Sequence, residues 1–202
     1  MARLPRVREG LTLEEFLRRP EIDEHPYLEY IDGRIEAKAK VSPQKKHSRL
    51  ATRLITHLNQ VAEPAGLGSA FVELRCTFAG RSIVPDVVFL LSEHILADKT
   101  GEIADETPLP PDIHIEIISP KQGVGTAAEK LLHATANGCP LGWLIHPYRK
   151  TIDVYRPGRP PERLAAAGVL EGEPVPPGFR LPAAEVFGWL IHHQPGPGAE
   201  PA

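Results

Sequence analysis

IVPDVVFLL, residues 83–91, is an almost unbroken apolar run with a single carboxylate, Asp86, inside it. Short apolar runs bounded by turn signals read as strands buried on both faces, and Gly80-Arg81 supplies the turn here. A second run, IHIEIIS over residues 113–119, carries Glu116 in the same way. A carboxylate in a buried strand costs several kcal/mol unless something compensates it. One such acid is accounted for by a solvated strand end. Two in consecutive core strands point instead to a shared cation, and two acids with the backbone oxygen of Ile117 make a hard oxygen set suited to Mg²⁺.

The segments on either side give a mixed order of α and β. GLTLEEFLRRP, residues 10–20, pairs Thr12 with Glu15 as a capping box and predicts a short helix with Leu13, Phe16 and Leu17 on one side, stopped by Pro20. YLEYIDGRIEAK, residues 27–38, predicts a hairpin about Asp32-Gly33, with Glu29 on the face of Tyr27 and Ile31. From Pro43 to Val61, apolar residues at helical spacing leave Lys45, Lys46, Arg49 and Arg53 outside and put His47 on the apolar side. Val72, Leu74, Cys76 and Phe78 alternate as a strand. Residues 92–111 are irregular. GVGTAAEKLLHATANG, residues 123–138, predicts a helix ending at Asn137-Gly138, and GWLIHP and TIDVYRP predict two strands about Tyr148-Arg149-Lys150. Beyond Pro157 only Ala183 to Leu190 suggests a short helix, and the predicted organisation is an extension over 1–10, one domain over 11–190 and a disordered tail over 191–202.

Composition narrows the class. The chain has 202 residues, 23 Lys and Arg against 26 Asp and Glu, a formal charge of -3 and 42% hydrophobic residues, which excludes collagen, coiled coil and wholesale disorder. Cys76 and Cys139 lie far apart without a C-x-x-C pair and read as two buried thiols. No apolar segment follows the N-terminal charges and no run approaches a membrane span, so the expectation is a cytoplasmic protein with no membrane partner. The mild acidity argues against nucleic acid, but charge is clustered: between Arg34 and Arg53 seven cations, among them Lys38, Lys40, Lys45, Lys46, Arg49 and Arg53, face Glu36 alone. Such a patch suits a phosphate backbone.

A hydrolytic metal site needs a cation near the acids. Lys130 on the predicted helix and Lys121 in the loop after Pro120 are the candidates, each with the plain alternative of a solvated lysine. Lys130 shares its helix face with the small residues Thr126, Ala127 and Ala134, which would let that face pack on the strands. His47 is as well explained by a packed histidine as by a catalytic one. Glu29 reads either as a second metal or water ligand or as an exposed strand residue.

The ordered series LTLEEFL, YLEYIDGRI, SPQKKHSRL, IVPDVVFL, IEIISP, AEKLLHATANG, GWLIHP, TIDVYR and PGFRLPAAEVF resembles the Uma-type restriction endonucleases over residues 11–190. The resemblance implies an α/β, mixed α+β fold: a restriction-endonuclease-like PD-(D/E)XK core with a mixed central sheet flanked by helices, an N-terminal helix and a β-hairpin. It further implies hydrolysis of DNA phosphodiesters dependent on Mg²⁺ or Mn²⁺. Residue by residue, the family's proline-aspartate is Pro85-Asp86, its strand glutamate Glu116, its helical lysine Lys130, its hairpin glutamate Glu29 and its helix-start histidine His47. The chain departs from the pattern at Thr126, Ala134, Leu141-Gly142 and His146, and Ile118 stands where the superfamily places a lysine. Those departures support an alternative, a nuclease-fold module that binds nucleic acid or protein without cutting. A third reading, a hydrolase of small phosphate esters, lacks a glycine-rich phosphate cradle. Cleavage of both strands of a duplex would need two sites, which a homodimer would supply.

Overall fold

The computed structural model describes residues 10–38, 44–105, 107–120, 123–165 and 167–192. The predicted extension up to residue 9, Lys40, Lys121 and the tail from residue 193 lie outside them. In chain order the elements are α1 (Leu13–Leu17), β1 (Leu28–Ile31), β2 (Arg34–Ala37), α2 (Lys45–Ala62), β3 (Gly68–Val72), β4 (Cys76–Phe78), β5 (Arg81–Ile83), β6 (Val87–Leu91), β7 (Ile113–Ile117), α3 (Val124–Ala136), β8 (Leu141–His146), β9 (Thr151–Tyr155), β10 (Glu162–Arg163), β11 (Val169–Glu171), β12 (Arg180–Pro182) and α4 (Ala183–Gly188).

Local chemistry sets the N-terminal elements. Thr12 and Glu15 close the capping box on α1, which buries Phe16 but leaves Leu17 facing outward. Asp32 and Gly33 take the left-handed angles, φ 50° and 82°, that a two-residue hairpin turn requires between β1 and β2. The hairpin joins β5 and β4 in a four-stranded sheet of order β2-β1-β5-β4. Arg75 ties that sheet to the preceding segment, donating to Asp23, Ser82 and the carbonyls of Ile22 and Leu28.

The larger sheet runs β10-β9-β8-β7-β6-β3, with β7 and β8 parallel and the other pairs antiparallel. The parallel pair follows from the crossover through α3, which a hairpin cannot replace. Along β6 and β7 side chains alternate between faces. Val87, Phe89, Ile113, Ile115 and Ile117 pack with Leu50, Leu54 and Leu58 of α2. The opposite parity packs elsewhere: Ile118 and Leu144 meet Ala127 and Leu131 of α3, and Val88 meets Ile31, Phe78 and Ile83 of the smaller sheet. Gly142 lets α3 come close, since a Cβ there would stand 2.7 Å from Leu131 Cδ2.

Three expectations are corrected. Residues 72–78 are not one strand: the chain leaves β3 at Glu73, whose φ is 49°, and enters the other sheet as β4. Nor is IVPDVVFLL one strand, because β5 ends at Ile83 and β6 begins at Val87, in different sheets, with Pro85-Asp86 at the crossing. Third, the Pro- and Gly-rich segment after Pro157 holds the β11–β12 hairpin, whose Leu170, Phe179 and Leu181 are buried in the α2-side core, with Phe179 stacked on Trp143 at 5.7 Å. The buried thiols are as expected; burial pushes Cys76 and Cys139 each up to about 12.

Candidate active site

The crossing between the two sheets is where the charged residues meet. Val87 pairs with Ile115 and Val88 with His114, so the antiparallel register continued by one residue sets Asp86 opposite Glu116. Directly opposed residues project to the same face, about 5 Å apart at Cβ. That face is the one covered by α3 and the hairpin. Glu29 of β1 reaches the crossing and accepts the Val84 N–H at 2.8 Å.

Lys130 comes from the small-residue face of α3 and is 3% exposed. Its Nζ lies 2.8 Å from Glu116 Oε1 and 3.1 Å from Glu29 Oε1, and His114 Nε2 lies 2.9 Å from the same Glu116 oxygen. Asp86 is engaged on both oxygens. Oδ2 accepts the Ile117 N–H at 2.8 Å, and Oδ1 lies 3.0 Å from Lys38 Nζ, which is 3.3 Å from Glu73 Oε1. His47, from the helix on the other face, brings Nε2 to 3.1 Å from Asp86 Oδ2, without the alignment of a hydrogen bond. The structure thus brings together Glu29, His47, Asp86, Glu116 and Lys130, all from the sequence reading, and adds Lys38, Glu73 and His114.

Burial alone would raise the Asp86 carboxyl, but the His47 ring, the Lys38 ammonium and the Ile117 N–H outweigh it and hold the group far below the usual carboxylate range. Burial likewise works against ionised Glu116, and the Lys130 ammonium overrides it despite the repulsion of Asp86, so this group too is lowered. Lys130 is the complement: burial disfavours its charge, Glu116 and Glu29 more than restore it, and its pKa is raised. Lys38 is raised for the same reason, with Asp86 and Glu116 outweighing burial and the like charge of Lys130.

The donor set fits a hard, hydrated cation. Ile118 donates its N–H to Ile145 on the β8 side, whereas Ile117 turns its amide to Asp86 on the β6 side. In a strand the N–H and C=O of one residue point to the same side, so the Ile117 carbonyl also faces Asp86. Asp86, Glu116 and this carbonyl are the residues that could hold a metal. Among the described residues no group of three or more His, Cys, Asp or Glu is placed to hold a metal ion by side chains alone, so the Ile117 carbonyl and water would have to complete the shell, as Mg²⁺ accepts.

The basic stretch divides. Lys45, Lys46, Arg49 and Arg53 are on the outer face of α2 and, with Trp189, Leu190 and His192, line a cleft of about 810 Å³. Arg49 donates to the Trp189 carbonyl, and Lys46 lies 4.8 Å from the Tyr148 ring centroid. Lys38 does not belong to that surface: it is 6% exposed and faces Asp86, a correction that follows from its backbone N–H being held by the Tyr27 carbonyl at 2.7 Å.

Of the residues the sequence reading missed, His114 carried a signal, since it stands two residues before Glu116 on the same strand face. Glu73 carried none, because only its left-handed backbone turns it toward Lys38. The departures from the family pattern lie outside the charged cluster: Thr126 is exposed, Ala134 and Gly142 serve helix packing, and the His146 ring accepts the Arg149 N–H at 3.1 Å.

A family model described as Uma2, putative restriction endonuclease, matches residues 13–184. Among solved structures, the crystal structure of a putative nuclease belonging to DUF820 from Anabaena variabilis is similar, with 37% sequence identity, a TM-score of 0.81, and 90% of this chain and 99% of that chain covered. No curated protein matches the chain. The fold expected from the sequence is the fold these matches share.

Proposed function

The chain belongs to the Uma2 family of putative restriction endonucleases, and from that premise we propose that it is a divalent-metal-dependent endonuclease hydrolysing phosphodiester bonds of DNA. The observation that carries the reading is Asp86, one residue before β6, set opposite Glu116 of β7 by the continued register, with the Lys130 ammonium 2.8 Å from Glu116. Asp86, Glu116 and the Ile117 carbonyl would hold Mg²⁺ or Mn²⁺. Such a cation would supply Lewis-acid stabilisation of phosphate charge and would lower the pKa of a bound water.

The remaining work falls to the chain. Two buried carboxylates keep Lys130 charged, so it serves as a fixed cation for the developing phosphorane charge and not as a base. Glu29 acts as a positioning residue, because its Oε1 already accepts from Val84 N–H and Lys130. His47 holds Asp86 from the α2 side. Lys45, Lys46, Arg49 and Arg53 would carry the DNA backbone along the exposed face of α2. A homodimer would bring the second site that a double-strand cut needs, and the cytoplasm is the compartment this reading implies. No helix among the described residues is long and apolar enough to cross a membrane.

A second reading, a binding module that does not cut, draws on the internal compensation of both acids by Lys38 and Lys130. Incubation of supercoiled plasmid with the purified protein separates the two. Nicked or linear product with Mg²⁺ or Mn²⁺, suppressed by excess EDTA, is expected for the endonuclease. Retarded but intact plasmid under the same conditions would favour the binding module.

A further inference from the structure

Lys130 already compensates Glu116 and Glu29, whereas Lys38 is committed to Asp86 through one oxygen. Its backbone is pinned at the end of β2 by the Tyr27 carbonyl, and only the side chain reaches inward. Asp86 Oδ2 is hydrogen-bonded by the Ile117 N–H, a backbone group that cannot leave without opening the sheet, with the His47 ring at 3.1 Å beside it and not bonded to it. Oδ1 is therefore the oxygen with an exchangeable partner, and that partner is an ammonium at 3.0 Å. A divalent cation held by Asp86 would meet it as a like charge in contact.

Glu73 offers that ammonium a place to go. Its Oε1 is 3.3 Å from Lys38 Nζ, so the shift required is small. Its side chain is 26% exposed, on the wall of a cavity of about 710 Å³ that Tyr27 and Val84 also line. The left-handed backbone at φ 49° and the N–H donated to the Asp86 carbonyl at 3.2 Å hold Glu73 beside Asp86, and strained non-glycine positions of this kind cluster at functional sites. The charges agree: Glu29, Glu73, Asp86 and Glu116 face Lys38 and Lys130, and one dication balances the remainder only if Lys38 stays in the cluster.

Building on the nuclease reading, we propose that Lys38 is an exchangeable internal counter-ion, neutralising Asp86 through Oδ1 in the metal-free protein and turning to Glu73 when a divalent cation binds. The ammonium remains charged throughout and changes only its carboxylate partner. Lys38 thereby keeps the buried aspartate compensated in the empty state and weakens metal affinity by competition.

Mn²⁺ binding by calorimetry tests this without any turnover. Lys38→Met keeps the apolar stem and removes the competitor, so the Mn²⁺ dissociation constant should fall about tenfold or more. Glu73→Gln, at a partly exposed position that leaves the fold intact, should raise it severalfold, because the displaced ammonium loses its second partner. In the Lys38→Met background Glu73→Gln should have no effect, since no ammonium remains to be housed. Unchanged or weaker binding by Lys38→Met would overturn the exchange, as would an equal loss from Glu73→Gln in both backgrounds, which would make Glu73 a ligand. Absence of Mn²⁺ binding in wild type and all variants would overturn the metal site and the exchange together, whereas equal binding by wild type and Lys38→Met would overturn the exchange alone.

Discussion

The Lys130 ammonium, carried in by α3, stands 2.8 Å from Glu116 Oε1 in the middle of β7 with both side chains almost wholly buried. Removing one partner of such a pair leaves the other charge stranded in low dielectric. Lys130→Met should therefore lower unfolding free energy by about 3–5 kcal/mol, read by urea denaturation. Adding Glu116→Gln should recover part of that loss, because it neutralises one of the two buried carboxylates that Lys130 compensates and leaves Glu29. A single variant as stable as wild type would mean that the pair contributes nothing in the folded state.

The pH profile of stability follows from the same groups. Asp86 and Glu116 have lowered pKa values when folded, so their contribution is complete above their unfolded values of about 4 and is lost as pH falls through the folded ones. Lys38 and Lys130 are raised, so theirs is complete below about 10.4 and is lost as pH rises beyond it. Thermal midpoints of metal-free protein should be highest between about pH 6.5 and 8.5, because the lowered His133 and His146 cost stability below that window and the raised Cys76 and Cys139 cost it above. The acid limb should be shallower in Asp86→Asn, and identical limbs would separate Asp86 from the acid transition.

Much of this was legible because burial leaves a mark in sequence. An acid inside an apolar run is expensive, and both acids so marked, Asp86 and Glu116, are buried and paired with lysines. The Asp32-Gly33 turn and the helical periods of α2 and α3 could be read because local chemistry decides them. The sheet change at Glu73 and at Pro85-Asp86 was hidden, since the alternation of apolar side chains runs through both crossings. The β11–β12 hairpin was hidden too: its strands span three residues each, and only packing on the core selects them among prolines and glycines. Lys38 looked like part of a basic surface run until pairing with the Tyr27 carbonyl turned it inward.

Charge reversal at Lys45 and Lys46 addresses the exposed face of α2. Each lost phosphate contact should reduce the slope of log K against log salt by about 0.9 for duplex DNA. Fluorescence anisotropy with a labelled duplex across a salt series measures it. Unchanged affinity with an unchanged slope would leave these lysines as a solvated helix face.

Asp86→Asn, compared with wild type for plasmid cleavage at saturating Mg²⁺, measures the central claim most directly. The variant is close to isosteric and removes the charge, so cleavage should fall by at least about 10²-fold, while DNA affinity, proposed to rest on α2, should stay near wild type. Circular dichroism on both proteins confirms equal folding. Cleavage by Asp86→Asn at the wild-type rate would contradict the account.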